Sequence, residues 1–253
     1  MVKCLSKVIL IALSILFGQQ IFGQTRIETS KYLFWQPETS LKYSDFQNQQ
    51  MYDGTSQANL IFSVKILSVL EYPQDTKEFR NSDAKWYLAP AFDKNFSIFT
   101  EPNEVDLQQA QIYFDVSEYW VRISRNRIML LQKQDLENNF DVADFYKKEL
   151  DIQISESAIQ NFSKKLAEGK DKAFSEIFED IIEIMFMQRE KMGMDLYLDS
   201  NLGNKVDVIK KWREKIDTLL GSTQQYSTKF SDCERFINDK PFYDNNVIIY
   251  MRE

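Results

Sequence analysis

The hydrophobic pattern of the chain changes near residue 103, and this change most constrains the fold. Before it, three runs rich in Ile, Val, Phe, Tyr and Trp (residues 31–35, 59–72 and 85–92) are typical of β-strands. After it, apolar residues recur at helical spacing. No Pro- or Ser-rich linker divides residues 24–253. The pattern therefore predicts a single α+β domain, with an N-terminal β-rich part followed by a helical part.

The helical segments carry apolar faces that predict burial. The first begins near Asp106 and places on one face Leu107, Ala110, Phe114, Ser117 and Val121. A later stripe is typical of a core rather than of a cofactor site, and it contains Phe174, Phe178, Ile181, Ile182 and Met185. The last segment carries Trp212 on its apolar face. Between these two segments, the turn-forming composition of residues 199–204 predicts a break.

Residues 1–23 have the order of a secretory signal peptide. Two lysines come first, an apolar run from Val8 to Phe17 follows, and Gly23 marks the expected cleavage site. The run is short for a membrane span, although an uncleaved anchor is the alternative. Cys4 precedes the run, so the order expected of a lipoprotein is not met. We expect a secreted or periplasmic protein that meets the membrane only during export, with Cys233 left as a single buried thiol.

Charge and composition exclude several classes of function. The chain has 31 Lys and Arg against 38 Asp and Glu, a net charge of −7, and an acidic surface argues against a nucleic-acid partner. It contains no His, which removes the usual general base, the usual partner of a Ser or Cys nucleophile and the commonest zinc ligand. Phosphate loops and dinucleotide-binding motifs are missing as well. The sequence therefore predicts no metal and no cofactor.

The stretch QAQIYFDVSEYWVR, residues 109–122, resembles the active-site helix of a family of secreted bacterial proteins described as zinc-dependent proteases. In that family two His one helical turn apart hold the metal, and the Glu after the first His is the general base. Gln109 and Tyr113 stand at the two His positions, and Ala110 stands at the Glu position. The surrounding residues that match the family, called the frame below, are Gln111, Phe114, Asp115, Glu118 and Arg122.

Three further stretches support this alignment, which covers about residues 30–220. Residues 41–46 (LKYSDF) and 92–97 (FDKNFS) resemble segments that precede the active helix in the family. Residues 196–212 match at Asp199, Ser200, Gly203 and Trp212. A rival alignment on Asp135, Leu136 and Asn139 matches less of the frame.

The alignment places Leu202 at the position of the family's third zinc ligand. The resemblance thus implies a zincin-like fold in which the helix containing Trp212 lies against the first helix. It also implies that Leu202 faces Gln109 and Tyr113 and, with Tyr113, fills the volume that a zinc site and its water would occupy.

The loss of the ligand positions implies a non-catalytic protein that keeps the fold as a binding module, with a protein or peptide partner in the cell envelope. Candidate binding residues are Gln111, Asp115, Glu118 and Asp199. The alternative is a carboxylate-dependent hydrolase, acting for example on glycans, that uses Asp115, Glu118 and Asp199. A solvated or salt-bridged helix face, with Arg122 one turn after Glu118, is the simpler expectation. The positions of these carboxylates in the structure discriminate between the two functions.

Overall fold

The computed structural model describes residues 26–48, 59–71, 84–137 and 140–238. The signal peptide predicted at residues 1–23 lies outside these ranges, as does Asn139 of the rival alignment. The strands are β1 (Tyr32–Phe34), β2 (Leu60–Ile61), β3 (Val64–Glu71), β4 (Lys85–Asp93) and β5 (Ile98–Phe99). An antiparallel sheet has the order β1–β4–β3, and β2 pairs separately with β5. The run predicted as one strand over residues 59–72 is therefore divided between β2 and β3.

The helices are α1 (Glu104–Leu136), α2 (Val142–Phe145), α3 (Glu156–Glu168), α4 (Lys170–Leu202), α5 (Lys205–Ser222) and α6 (Phe230–Asn238). The two longest, α1 and α4, span 33 residues each, which is about 50 Å. Asp106 at the start of α1 contacts Lys205 just beyond the end of α4, and Tyr113 contacts Glu190, so α1 and α4 are antiparallel. None of the helices in the described ranges is both long and apolar enough to cross a membrane.

Helices cover both faces of the main sheet. Leu33 and Phe92 pack against Phe114 of α1 on one face. Phe34, the next residue of β1, packs on the other face against Cys233 of α6. Neighbouring strand residues point to opposite faces, so a strand covered on both sides is apolar throughout. The predicted α+β class, with strands first and helices after, is confirmed, and so is the burial of Cys233.

The predicted helix faces are confirmed at nearly every position. On the predicted face of α1, Leu107 is half-buried and the other four residues are fully buried. The stripe predicted for α4 lies in the largest core cluster, which also holds Leu131 of α1. Ile112 and Val116 of α1 pack against Trp212 and Ile216 of α5. The prediction that the helix containing Trp212 lies against the first helix is therefore confirmed.

The break predicted over residues 199–204 is too long. Only Gly203 and Asn204 separate α4 from α5. The side chains of Ser200 and Asn201 donate to carbonyl oxygens one turn earlier on α4, each at 2.7 Å, so these turn-forming residues remain within the helix. Asn204 then caps α5 by accepting hydrogen bonds from two backbone N–H groups of its first turn.

Candidate binding cleft

A cleft of about 340 Å³ opens between α1, α4 and the segment that connects β2 to β3. Gln109 and Tyr113 line it from α1, and residues between Arg189 and Tyr197 line it from α4. Phe62, Ser63 and Val64 close its third side. The volume lies at the lower end of the range for ligand pockets, about 300–1,000 Å³. The cleft therefore suits one or two large side chains better than a bulky cofactor.

Two of the four motif positions meet in this cleft. Gln109 and Tyr113 lie one helical turn apart, so both point from α1 toward α4. Ala110 lies on a different side of the helix, where it is fully buried in a cluster with Leu33 and Phe92. A glutamate in place of Ala110 would bring a charge into the core rather than next to a bound ligand.

The prediction that Leu202 faces Gln109 and Tyr113 is wrong. Its side chain is 85% exposed at the C-terminal end of α4, and it does not line the cleft. Tyr113 instead meets Gly193, nine residues before Leu202, which is about 13 Å along the helix axis. The space beside Gln109 is open rather than filled by Leu202. The alignment therefore provides no third ligand position near the other two.

Tyr113 shapes the cleft. A Cβ built on Gly193 would lie 2.9 Å from the Cδ2 atom of Tyr113 and closer still to Cε2, so its ring rests on the helix backbone. Phe62 packs edge-on against this ring, with 5.5 Å between the ring centroids. The Tyr113 hydroxyl donates to Glu190 at 3.3 Å. Burial raises the pKa of this hydroxyl, with Arg189 opposing and Glu190 reinforcing the shift.

Arg189 brings a buried positive charge to the α4 wall. One terminal nitrogen donates to the carbonyl oxygen of Val64 at 2.9 Å, and the other donates to the carboxylate of Glu190. The guanidinium carbon lies 5.4 Å from the centroid of the Phe186 ring. The Nε atom is buried and has no partner among the described residues. Its N–H is therefore an unsatisfied buried donor beneath the surface of the cleft.

Gln111 and Asp115 connect α1 to the segment after β1. Gln111 accepts from the backbone N–H of Leu41 at 2.8 Å and donates to Asp115 at 3.1 Å. Asp115 accepts from the indole N–H of Trp35 at 2.7 Å and forms a salt bridge with Arg213 of α5. Neither Gln111 nor Asp115 lines the cleft. Their polar groups hold elements of the fold together.

Glu118 is fully buried and connects α1 to the C-terminal part of the chain. Its Oε1 accepts from Arg122 Nε and from the backbone N–H of Thr228, both at 2.8 Å. The other oxygen accepts from the Thr228 hydroxyl. Arg122 also donates to the Leu220 carbonyl at 2.6 Å and to the Ser227 hydroxyl at 2.8 Å. The expected salt bridge between Glu118 and Arg122 is confirmed, but the expected solvation of this face is wrong, because both side chains are buried.

Asp199, the third carboxylate of the hydrolase alternative, is exposed and accepts from the Trp212 indole at 3.0 Å. Asp115, Glu118 and Asp199 thus bond to three different sets of partners, and none lines the cleft. Among the described residues, Glu190 is the only carboxylate at the cleft. Within the same ranges, no three His, Cys, Asp or Glu side chains come together as metal ligands.

The α4 wall was missed by sequence reasoning. Arg189 and Glu190 belong to no motif, and their roles depend on contacts with Val64 and Tyr113, which are distant in sequence. The sequence held one signal of this wall, Gly193. A glycine inside a helix costs about 1 kcal/mol relative to Ala, so its presence indicates that another element packs closely against the helix there.

Comparison of the chain with protein-family models, with curated proteins and with solved structures found no match in any of the three. The fold and the cleft therefore define the class. The chain is an α+β protein with a small, partly aromatic cleft between two long antiparallel helices and one end of its sheet.

Proposed function

We propose that this protein is an exported, non-catalytic binding protein whose cleft receives a short extended segment of a partner protein in the cell envelope. The observation that carries the proposal is the wall of the cleft. It combines apolar and aromatic surface from Phe62, Met194 and Tyr197 with a few fixed polar groups. Small sites that combine apolar surface with a few polar groups bind the apolar part of a ligand by burial and orient the ligand by hydrogen bonds.

The polar groups favour a peptide over a charged small molecule. Arg189 and Glu190 neutralise each other, so the cleft has little net charge to attract an ion. The side-chain amide of Gln109 suits the carbonyl and N–H groups of an extended main chain, because it can both donate and accept. Phe62 and Tyr197 then supply contact surface for one large side chain of the segment.

The proposal that the protein is non-catalytic rests on the side chains that are available at the cleft. The chain has no His. The three carboxylates of the hydrolase alternative are bonded elsewhere, so a pair of acids facing each other across a substrate does not arise from them. Glu190, the carboxylate at the cleft, accepts from Arg189 and Tyr113.

A zincin-like ancestry remains part of this proposal. It is supported by two hydrogen bonds between matched residues: Gln111 bonds to Leu41 of the LKYSDF stretch, and Asp199 bonds to Trp212 within the last matched stretch. It is weakened by Leu202, whose position provides no third ligand. The binding function depends on the cleft and does not require the ancestry.

The test uses fluorescein-labelled, blocked, uncharged hexapeptides with either Phe or Gly at the central positions, followed by fluorescence anisotropy. We expect the Phe peptide to bind and Gln109→Ala to weaken binding at least about fivefold, the equivalent of one lost hydrogen bond of about 1 kcal/mol. Gln108→Ala is the matched control, because Gln108 is the next residue on α1 and is exposed outside the cleft.

Two kinds of result, one from binding and one from turnover, would overturn the proposal. One is equal binding by the Gln109→Ala and Gln108→Ala proteins, or no binding of either peptide at millimolar concentration. The other is cleavage of the peptides, measured by mass spectrometry after long incubation, because turnover contradicts a non-catalytic role.

A further inference from the structure

Glu190 presents one open carboxylate oxygen at the cleft. Its Oε1 atom accepts from both the Tyr113 hydroxyl and a terminal nitrogen of Arg189. Among the residues that the structure describes, none bonds to its Oε2 atom. The Glu190 side chain is 60% exposed, whereas Arg189 is buried beneath it. The acceptor that a ligand meets at this end of the cleft is therefore Oε2.

The two donors to Oε1 hold the carboxylate in place. Tyr113 rests its ring on the helix backbone at Gly193, and Phe62 packs edge-on against the same ring. Arg189 is fixed in turn by its bond to the carbonyl oxygen of Val64 at 2.9 Å. An acceptor that is already held in position loses less freedom on binding a donor, so its hydrogen bond contributes more to affinity.

Apolar surface surrounds this acceptor. Phe62, Met194 and Tyr197 line the cleft together with the ring of Tyr113. Aromatic rings pack favourably against one another, and the sulfur of methionine also makes favourable contacts with them. The cleft volume of about 340 Å³ admits one large ring system. The walls therefore favour an aromatic side chain, and the open oxygen of Glu190 favours one that carries a hydrogen-bond donor.

The charges beside the acceptor favour a neutral donor. Arg189 already balances the charge of Glu190, so a Lys or Arg side chain of a ligand would bring an unbalanced positive charge next to a guanidinium. An acidic side chain would meet the open oxygen with the same sign of charge. Serine and amide side chains donate, but they bury little apolar surface. Tryptophan and tyrosine combine a large ring with one donor at its edge.

We infer that the cleft selects a segment that carries tryptophan or tyrosine, whose ring fills the cleft and whose N–H or O–H donates to Oε2 of Glu190. The inference rests on the proposed function, because it names the side chain that anchors the extended segment. The chain makes the same kind of bond internally. The indole N–H of Trp35 donates to Asp115 at 2.7 Å, and that of Trp212 donates to Asp199 at 3.0 Å.

The test uses two matched pairs of fluorescein-labelled, blocked hexapeptides, followed by fluorescence anisotropy. Each peptide has one aromatic residue near its centre: tryptophan is paired with naphthylalanine, and tyrosine is paired with phenylalanine. Within a pair the ring keeps nearly the same size and only the donor is removed. Glu190→Gln is the test variant. Asp195→Asn is the matched control, because Asp195 is an exposed acid of α4 that does not line the cleft.

We expect the peptide with the donor to bind about fivefold or more tightly in each pair, the equivalent of one hydrogen bond of about 1 kcal/mol. Glu190→Gln abolishes both preferences. Its amide oxygen takes the place of Oε1, where it accepts from Arg189 and Tyr113, and its NH₂ group then lies where Oε2 was. Asp195→Asn removes the same charge and changes the preferences by less than about twofold.

Failure of this inference differs from failure of the proposed function. If each peptide binds as tightly as its counterpart without the donor, the cleft still receives a peptide, but Glu190 does not select its anchor and the inference is overturned. Preferences that persist in Glu190→Gln lead to the same conclusion. A lysine peptide that binds more tightly than the tryptophan peptide would contradict the neutral donor. If no peptide binds at millimolar concentration, the proposed function fails and the inference fails with it.

Discussion

Gly193→Ala tests the close approach of α1 and α4 that forms the cleft. In an open helix the change stabilises a protein by about 1 kcal/mol, because Ala is the better helix former. At Gly193 the added methyl would overlap the ring of Tyr113. The ring has to move, and overpacking of this kind costs about 1–3 kcal/mol. Displacing it also weakens the edge-on contact with Phe62, worth about 0.5–1.5 kcal/mol.

Together, the gain in helix propensity, the cost of overpacking and the weakened ring contact predict that Gly193→Ala lowers the free energy of unfolding by about 1–2 kcal/mol. The same change made in a Tyr113→Ala background has no ring to displace. There it should raise the free energy of unfolding by about 0.5–1 kcal/mol. The sign of the effect therefore reverses, and the coupling between the two positions is about 1.5–3 kcal/mol, which is large for a pair of side-chain changes.

Urea denaturation followed by far-ultraviolet circular dichroism measures all four proteins of this cycle. Gly221→Ala is the control: Gly221 is also within a helix, but a Cβ there would meet nothing within 4 Å. It should stabilise the protein by up to about 1 kcal/mol. The reasoning is refuted if Gly193→Ala stabilises the wild-type protein as Gly221→Ala does, because Tyr113 would then not rest on Gly193.

Three further outcomes are expected. First, a Gln109→His, Tyr113→His protein should bind zinc no more tightly when Leu202→His is added, because Leu202 does not line the cleft. Competition with a chelating dye measures the zinc affinity, and tighter binding would restore Leu202 as a third ligand position. Residues 1–23 should be missing from the exported protein, and N-terminal sequencing that begins at Met1 would support an anchor instead. Burial raises the pKa of the Cys233 thiol to about 12, so a thiol reagent at pH 8 should modify it only after unfolding; rapid modification of the native protein would contradict the packing of α6 on the sheet.

The parts of the fold that local patterns determine could be predicted. Whether a helix face is buried depends on apolar residues three and four positions apart, so the faces of α1 and α4 were evident. The end of α4 was not, because Ser200 and Asn201 have turn-forming character. Their side chains bond to the helix backbone instead. Which of two local bonding patterns such residues adopt depends on the packing around them.

The cleft could be predicted only in part, because it is a tertiary feature. Its α1 side followed from the alignment, which singled out Gln109 and Tyr113. Its α4 side requires knowing that Arg189 meets Val64, and these residues are 125 positions apart. The placement of Leu202 failed for the same reason: the alignment gives sequence order, whereas a ligand position depends on the distance along α4 from Gly193.

The residues that match the family of the resemblance and the residues at its ligand positions have different physical roles in this structure. Asp115 and Glu118 are buried and bond to partners from other elements. Removing Glu118 leaves the buried charge of Arg122 without its carboxylate, at a cost of about 3–5 kcal/mol, whereas Arg213 keeps Asp217 as a partner when Asp115 is removed. Gln109 and Tyr113 line an open cleft. A zinc ligand at such a position adds to stability only through its metal. The stability of the fold therefore constrains the buried carboxylates more strongly than it constrains the residues that line the cleft.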